Sequence, residues 1–195
     1  MRTITVFSGL ALKDIMETSF VGPFGERTGV AVRRVYEPTA LLREMVRQGD
    51  RPDVLIGIAA SLREMAAADE VRAESIRGLA RSDVGVAVAA SLRSSALEAV
   101  EDLRDLLERA ASVAYSRTGA SGTVFERVLD DLGLRQVVSA KAVVLAKGFT
   151  AEAVRDGRAE IAIQQLSELA AVPEVEILGP LPTELNAYVE LAAAI

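Results

Sequence analysis

The chain has 195 residues, half of them hydrophobic but only 4% aromatic, and a net charge of −6. It contains no cysteine and no histidine, which excludes disulfides, thiolate chemistry, the Ser–His triad and most zinc sites. Lys and Arg form no basic tract of five or more residues, so nucleic-acid binding is not expected.

Thr3 to Phe7 reads as a buried strand that ends in Ser8-Gly9. Leu12, Ile15, Met16 and Phe20 give Leu10–Phe20 helical spacing. Pro23 and Gly25 in "VGPFGERTG" predict a break or a second short turn. Val30 to Val35 is the next strand. "EPTALLREMVRQGD" is a helix with Thr39 at or near its N-cap and Gly49 near its C-cap. "PDVLIG" is a strand and "SLREMAAADE" a helix, followed by a strand from Val84 to Ala90. "SSALEAVEDLRDLLERA" is a helix opened by the capping box Ser95-x-x-Glu98.

Ser112 to Tyr115 is a strand. The helix after it spans Val124 to Leu132, with Val124, Val128, Leu129 and Leu132 on one face and Gly133 at its end. Ala142–Ala146, "AEIAIQQL", "VEILG" and Asn186–Leu191 complete the strands, with short helices at "TAEAVRDG" and "SELAAV". Strands alternate with helices and are apolar on both faces, the pattern of parallel sheets covered by helices. About nine strands in a chain of this length fit an α/β protein of two small βαβ lobes. No apolar run reaches the roughly 18 residues that span a bilayer, so no membrane insertion is expected. "MRTITVFSGLALKD" reads as a first strand rather than a signal peptide. A cytoplasmic location is therefore expected if Met1 is the native start, and a periplasmic or extracellular one if a signal peptide has been removed.

Ligands of open α/β sheets sit beyond the carboxyl ends of the strands. The junctions there carry small polar residues: Ser8-Gly9, Pro38-Thr39, Gly119 to Thr123, and Gln164-Gln165. Free amides at a helix start favour an anion, small residues admit it to the backbone, and hydroxyls add donors. Ser121, Gly122 and Thr123 form the clearest such cradle, and Arg117 adds a bidentate partner for a carboxylate or phosphate. The competing reading at each junction is a simple helix cap. "SRTGASGT" is neither a Walker loop nor G-x-G-x-x-G, and neither a metal site nor a cofactor is expected. Should the site be catalytic, its acid–base group would come from Glu37, Glu168, Tyr36 or Tyr115, none singled out by the sequence. Glu168 is expected at the surface, and Lys141 and Lys147 at solvated strand ends.

Several landmarks taken together resemble a known family: "FSGLALKDIM", "FGERTGVAVRRVYEPTALLREMVRQGDRPDVLIG", "ARSDVGVAVAA", "ASGTVFERVLDDLGL" and "AEIAIQQLSEL". Their order is similar to that of the type II periplasmic solute-binding proteins, in the molybdate-binding branch that serves ABC importers. The resemblance implies two α/β lobes closing over an anion in a cleft, with crossings near "SDVGVAVAA" and "NAYVELAAA". Lobe one would then be residues 1–83 plus 187–195, and lobe two 84–186. It implies a small anionic ligand, held near Ser8, Thr39, Ser121 and Gln165, and an ABC permease as partner if the protein is exported. The chain departs from the family pattern at Leu10, where the first-loop Ser is expected, and at Gln165, where a Tyr is expected. The family also continues with a C-terminal helical segment beyond the position of Ile195. The first two departures point away from molybdate toward a larger or carboxylate-bearing anion. A cytoplasmic isomerase or tautomerase of an organic acid on the same fold is the alternative expectation.

Overall fold

The computed structural model of the protein describes residues 2–89, 97–117 and 119–195. The chain forms two compact units, Met1–Arg81 with Glu190–Ile195, and Ser82–Val189. Its elements, in order, begin with β1 (Thr3–Ser8), a 3-10 turn (Leu10–Leu12), α1 (Lys13–Ile15), a π-helical turn (Met16–Phe20) and α2 (Val21–Thr28). There follow β2 (Ala31–Tyr36), α3 (Thr39–Arg47), β3 (Val54–Ile58), α4 (Ala59–Ala67) and β4 (Arg77–Ala89). Then come α5 (Val100–Arg109), β5 (Val113–Ser116), α6 (Ala120–Asp131), α7 (Arg135–Ser139), β6 (Ala142–Leu145) and α8 (Ala151–Arg155). The chain closes with β7 (Ile161–Gln165), α9 (Leu166–Ala170), β8 (Val175–Pro180) and β9 (Tyr188–Ala194).

In the first unit the strands lie in the order β2-β1-β3-β9. β1 runs parallel to β2 and β3, and β9 runs antiparallel to β3. Leu42 and Val46 of α3, four residues apart, and Leu62 and Met65 of α4, three apart, each form an apolar helical stripe. These stripes bury against Phe7, Leu55, Ala192 and Ala194 of the strands. Such a core needs no aromatic residue beyond Phe7.

The strands of the second unit lie in the order β8-β4-β7-β5-β6. β5 is parallel to β6 and β7, while β4 is antiparallel to β7 and β8. Side chains alternate across the sheet. Ala87, Ala114 and Ala162 face α8, where small residues (Ala151, Ala153) let the helix lie close. On the other face Tyr115 meets Phe125 of α6 edge to face, ring centroids 5.3 Å apart. Val113, Ile161 and Ile163 share that face with Tyr115 by the same alternation.

The structure departs from the sequence expectations in three places. Pro23 does not break the helix: α2 runs through it, directly after a π-helical turn whose carbonyl at Met16 accepts the Val21 amide. The π-helical turn just before it widens the backbone at the point where the ring would otherwise crowd the preceding turn. The helix expected at Val124 begins at Ala120 instead, so Ser121, Gly122 and Thr123 lie inside it. Arg135–Ser139, to which the sequence reading assigns no element, forms α7 and buries Val138. The expected capping box rests on Ser95, which lies outside the described residues; Asp102 accepts hydrogen bonds from the Glu98 and Ala99 amides at 3.0 and 2.9 Å.

α6 starts almost in contact with the end of β5. A Cβ at position 122 would lie 1.4 Å from the Ser116 carbonyl oxygen, which is backbone and cannot rotate away. Gly122→Ala should therefore cost about 3 kcal/mol or more in stability, at or above the upper range for overpacking. Gly22→Ala, in α2 with nothing within 4 Å of the added carbon, should be neutral or stabilising by up to about 1 kcal/mol. Chemical denaturation of the two variants checks the contrast.

Candidate functional site

Because β5 and β7 are parallel neighbours, their carboxyl ends emerge at the same edge of the second unit's sheet. β5 ends at the buried Ser116, β7 at the buried Gln164 and Gln165, and Ser121 lies on the first turn of α6 with 2% of its surface exposed. The Ser116 hydroxyl accepts from the Gly119 amide at 3.0 Å and shapes the turn into α6. Gly119 caps this helix of 12 residues without any side-chain hydrogen bond. The amides of Gly122 and Thr123 donate to the Gly119 carbonyl at 3.1 and 3.2 Å. Those of Ala120 and Ser121 have no intrahelical acceptor, and they sit at the positive end of the helix dipole. Thr123 is exposed on the same turn. Arg117 is exposed just past β5 and, among the described residues, pairs with no acidic side chain.

The two glutamines at the end of β7 point to opposite faces. The Gln164 amide is committed to the protein: its Oε1 accepts from the Thr150 amide at 2.7 Å and from the Thr150 hydroxyl at 3.0 Å, and its Nε2 donates to the Gly148 carbonyl at 3.2 Å. Gln165 donates from Nε2 to Glu168 Oε2 at 3.2 Å, while its Oε1 is buried without a partner. Glu168 is 6% exposed, not at the surface as the sequence suggested. Burial drives its carboxyl up to about 7, against the opposing hydrogen bonds from Gln165 and Gln164.

In the first unit, Ser8 and Thr39 occupy the ends of β1 and the start of α3, both buried. The Ser8 hydroxyl donates to the Gly9 carbonyl at 3.1 Å, and the Gly9 amide donates to the Ile56 carbonyl at 3.0 Å. Thr39 Oγ1 accepts from the Ile58 amide at 3.2 Å, tying α3 to the end of β3. Gly57 makes that tie possible, since a Cβ there would come within 2.7 Å of Thr39 Cγ2. At none of the junctions before Leu10, Thr39, Ala120 and Leu166 does a side chain cap the turn or helix that follows. Capping therefore does not account for the hydroxyls there.

Of the acid–base candidates, Tyr36 is held by Glu17, its hydroxyl donating to Glu17 Oε1 at 2.7 Å. Burial, and after it this acidic neighbour, push the phenol up to about 12. Tyr115 is a packing residue against Phe125, and Glu37 is half-buried with its amide donating to the Ser8 carbonyl at 3.2 Å. Glu168 alone combines burial with a carboxyl that titrates near neutrality. Ser116 and Thr150, which shape the two junctions, were missed from the sequence. The signal for Ser116 was its place at the end of an apolar strand directly before the glycine-rich turn. Among the described residues, no group of three or more Asp and Glu side chains could hold a metal ion.

The profile of one protein family, described as bacterial extracellular solute-binding protein, matches residues 4–195. The chain belongs to that family. It is 30% identical over 148 residues to an aconitate isomerase from Pseudomonas sp., covering 75% of this chain and 56% of that protein. The chain thus spans little more than half the length of that curated relative. Its fold is similar to that of the periplasmic molybdate-binding protein of Azotobacter vinelandii, with a TM-score of 0.80, 18% identity, and coverage of 98% of this chain and 84% of the other. A tungstate-binding protein from Desulfovibrio alaskensis aligns with a TM-score of 0.62 at 12% identity, covering 100% of this chain and 81% of the other. At these identities the structural likeness establishes the type II solute-binding fold.

The raised Glu168 carboxyl has a consequence for stability. It moves from 4.5 to about 7 on folding, so between those values the folded state holds a proton that the unfolded chain releases. Stability is then full below pH ~4.5 and falls as pH rises through about 7, by on the order of 1.4 kcal/mol for each pH unit in that window. Glu168→Gln should flatten this slope, leaving a melting temperature at pH 8 higher than that of the parent. Thermal melts from pH 4 to 9 check it.

Proposed function

We propose that this protein is a receptor for a small anion, an oxyanion or an organic carboxylate, held by neutral donors rather than by a metal or a buried cation. One observation carries the reading: α6 begins uncapped, with the Ala120 and Ser121 amides lacking intrahelical acceptors and the Ser121 residue buried beside them. That is the arrangement in which a helix start accepts negative charge. The family membership supports an extracellular solute receptor, for which an ABC permease is the natural partner. The molybdate- and tungstate-binding proteins that share the fold support an oxyanion. Exposed Arg117, at the mouth of the turn, supports a carboxylate-bearing ligand.

A second reading is an enzyme acting on an unsaturated organic acid such as aconitate. Two observations favour it: the 30% identity to an aconitate isomerase, and Glu168, buried and titrating near neutrality.

Thermal-shift screening against molybdate, tungstate, sulfate and a set of di- and tricarboxylates tests the receptor reading. A true ligand at a hundredfold excess over its Kd stabilises the protein by about 2.7 kcal/mol. Ser121→Ala should then weaken binding roughly tenfold, about 1.4 kcal/mol, the loss of a hydrogen bond to a charged group. Arg117→Ala should weaken only carboxylate binding. Absence of a shift with every anion in the set would refute the reading.

A further inference from the structure

We propose that Glu168 transfers a proton between two carbons of a bound unsaturated carboxylate, so that the strand-end site of the second unit is catalytic; this rests on the organic-acid reading given second above.

Glu168 is the third residue of α9 and accepts from the backbone amide of Gln165, the helix's N-cap, as a carboxylate at a helix start does, but it does so while buried. Among the described residues the buried polar ones are Ser8, Thr39, Ser116, Ser121, Thr150, Gln164, Gln165 and Glu168, and only Glu168 among them can ionise. Half-buried Glu70 is paired with Arg43 and Arg47 at 2.8 and 2.7 Å and exposed Glu17 with Arg34 at 2.8 Å, while half-buried Glu160 accepts the Ala111 amide at 2.7 Å. Glu168 is supported by the side-chain and backbone amides of Gln165, and among the described residues no charged neighbour acts on its titration. Of the strands packed against α9, β7 carries no ionisable residue, β8 carries only Glu176, which is exposed, and β4, which meets Leu166 at Gly85, carries exposed Arg77 and Arg81 and half-buried Asp83. A cation would lock the carboxylate in its charged form. Amides leave it free to gain and lose a proton near neutral pH, which is what a shuttle requires.

Gln165 adds an independent sign of a site. Its side chain holds Glu168 through Nε2 while its own Oε1 is buried with no hydrogen-bond partner. Leaving a buried polar atom unsatisfied is unfavourable. It persists here on the residue that orients the carboxyl, at the same sheet edge as Ser121 and the uncapped α6. Gln165 is thus a positioning residue for Glu168.

The chemistry balances on this chain's groups alone. The substrate carries a methylene next to a carbon–carbon double bond conjugated with a carboxylate. Glu168, ionised, removes one methylene proton, and the C–H bonding pair enters the conjugated system to give a dienolate. The extra negative charge gathers on the carboxylate oxygens, where the Ser121 hydroxyl and the Ala120 and Ser121 amides stabilise it. Glu168 then returns the proton to the far end of the three-carbon unit. The double bond has moved, the carboxylate of Glu168 is restored, and neither oxidant nor water is consumed.

The test uses the whole chain in deuterated buffer with aconitate as probe, followed by proton NMR, with calorimetry reporting binding. The parent protein should exchange the allylic protons and interconvert the isomers, at a rate that climbs to a plateau above pH ~7. Glu168→Gln should lower exchange by about 10²- to 10⁴-fold, lose the pH dependence and still bind the probe. Glu168→Asp, which keeps the carboxyl but withdraws it by a methylene, should retain weaker exchange with a pH-dependent rise. Binding of aconitate by the parent without exchange, or full exchange by Glu168→Gln, overturns the proposal. Binding of oxyanions with no binding of aconitate also overturns it, while the receptor reading stands. If no anion binds at all, both fall.

Discussion

A missing carbon atom at residue 122 sets up the second unit. With no side chain there, the first turn of α6 lies directly on the carbonyl that ends β5. Ser121 is thereby buried at the strand end, and the turn at Gly119 is held by the Ser116 hydroxyl rather than by a helix cap. The first unit repeats the device with other residues. Gly57 clears the space that Thr39 fills, and the Thr39 hydroxyl accepts from the Ile58 amide at the end of β3. In each unit a glycine lets a helix start approach a strand end until a hydroxyl residue is enclosed with the backbone. Helix ends handled this way keep unmatched amide donors, the raw material of an anion site.

Charge is handled by two different rules. Glu17 and Glu70 are paired with arginine, and those partners hold their titration below the ordinary value, while Asp102 stays exposed and accepts backbone amides. Glu168 follows the other rule. It is withdrawn from water, supported by amides alone, and pushed toward the neutral form. With no histidine in the chain, burial of a carboxyl is the route by which this protein acquires a group that titrates near neutral pH.

The molybdate- and tungstate-binding proteins show how the chain folds, and the residues at the strand ends bear on what it holds. Leu10 opens a 3-10 turn where the resemblance had led a hydroxyl to be expected. Gln165, where it had led a tyrosine to be expected, reaches Glu168.

The sequence by itself determined the α/β class, the nine strands (with the start of β4 at Arg77 missed by seven residues), and the strand ends where polar residues gather. These depend on local periodicity and on hydroxyl and glycine residues following apolar runs, which a linear reading detects. Only the tertiary structure decided that α2 runs through Pro23, that Ser121 to Thr123 lie inside α6, and that the adjacent Gln164 and Gln165 serve different partners. It alone took Glu168 from an expected surface position into the interior. The physical reason is common to all of these. Burial and hydrogen-bond partners depend on which remote element covers a residue, and Thr150 lies 14 residues from the Gln164 amide it satisfies. No spacing along the chain records such a distance, so the shape of the site was legible only in outline, and its one titrating group was not.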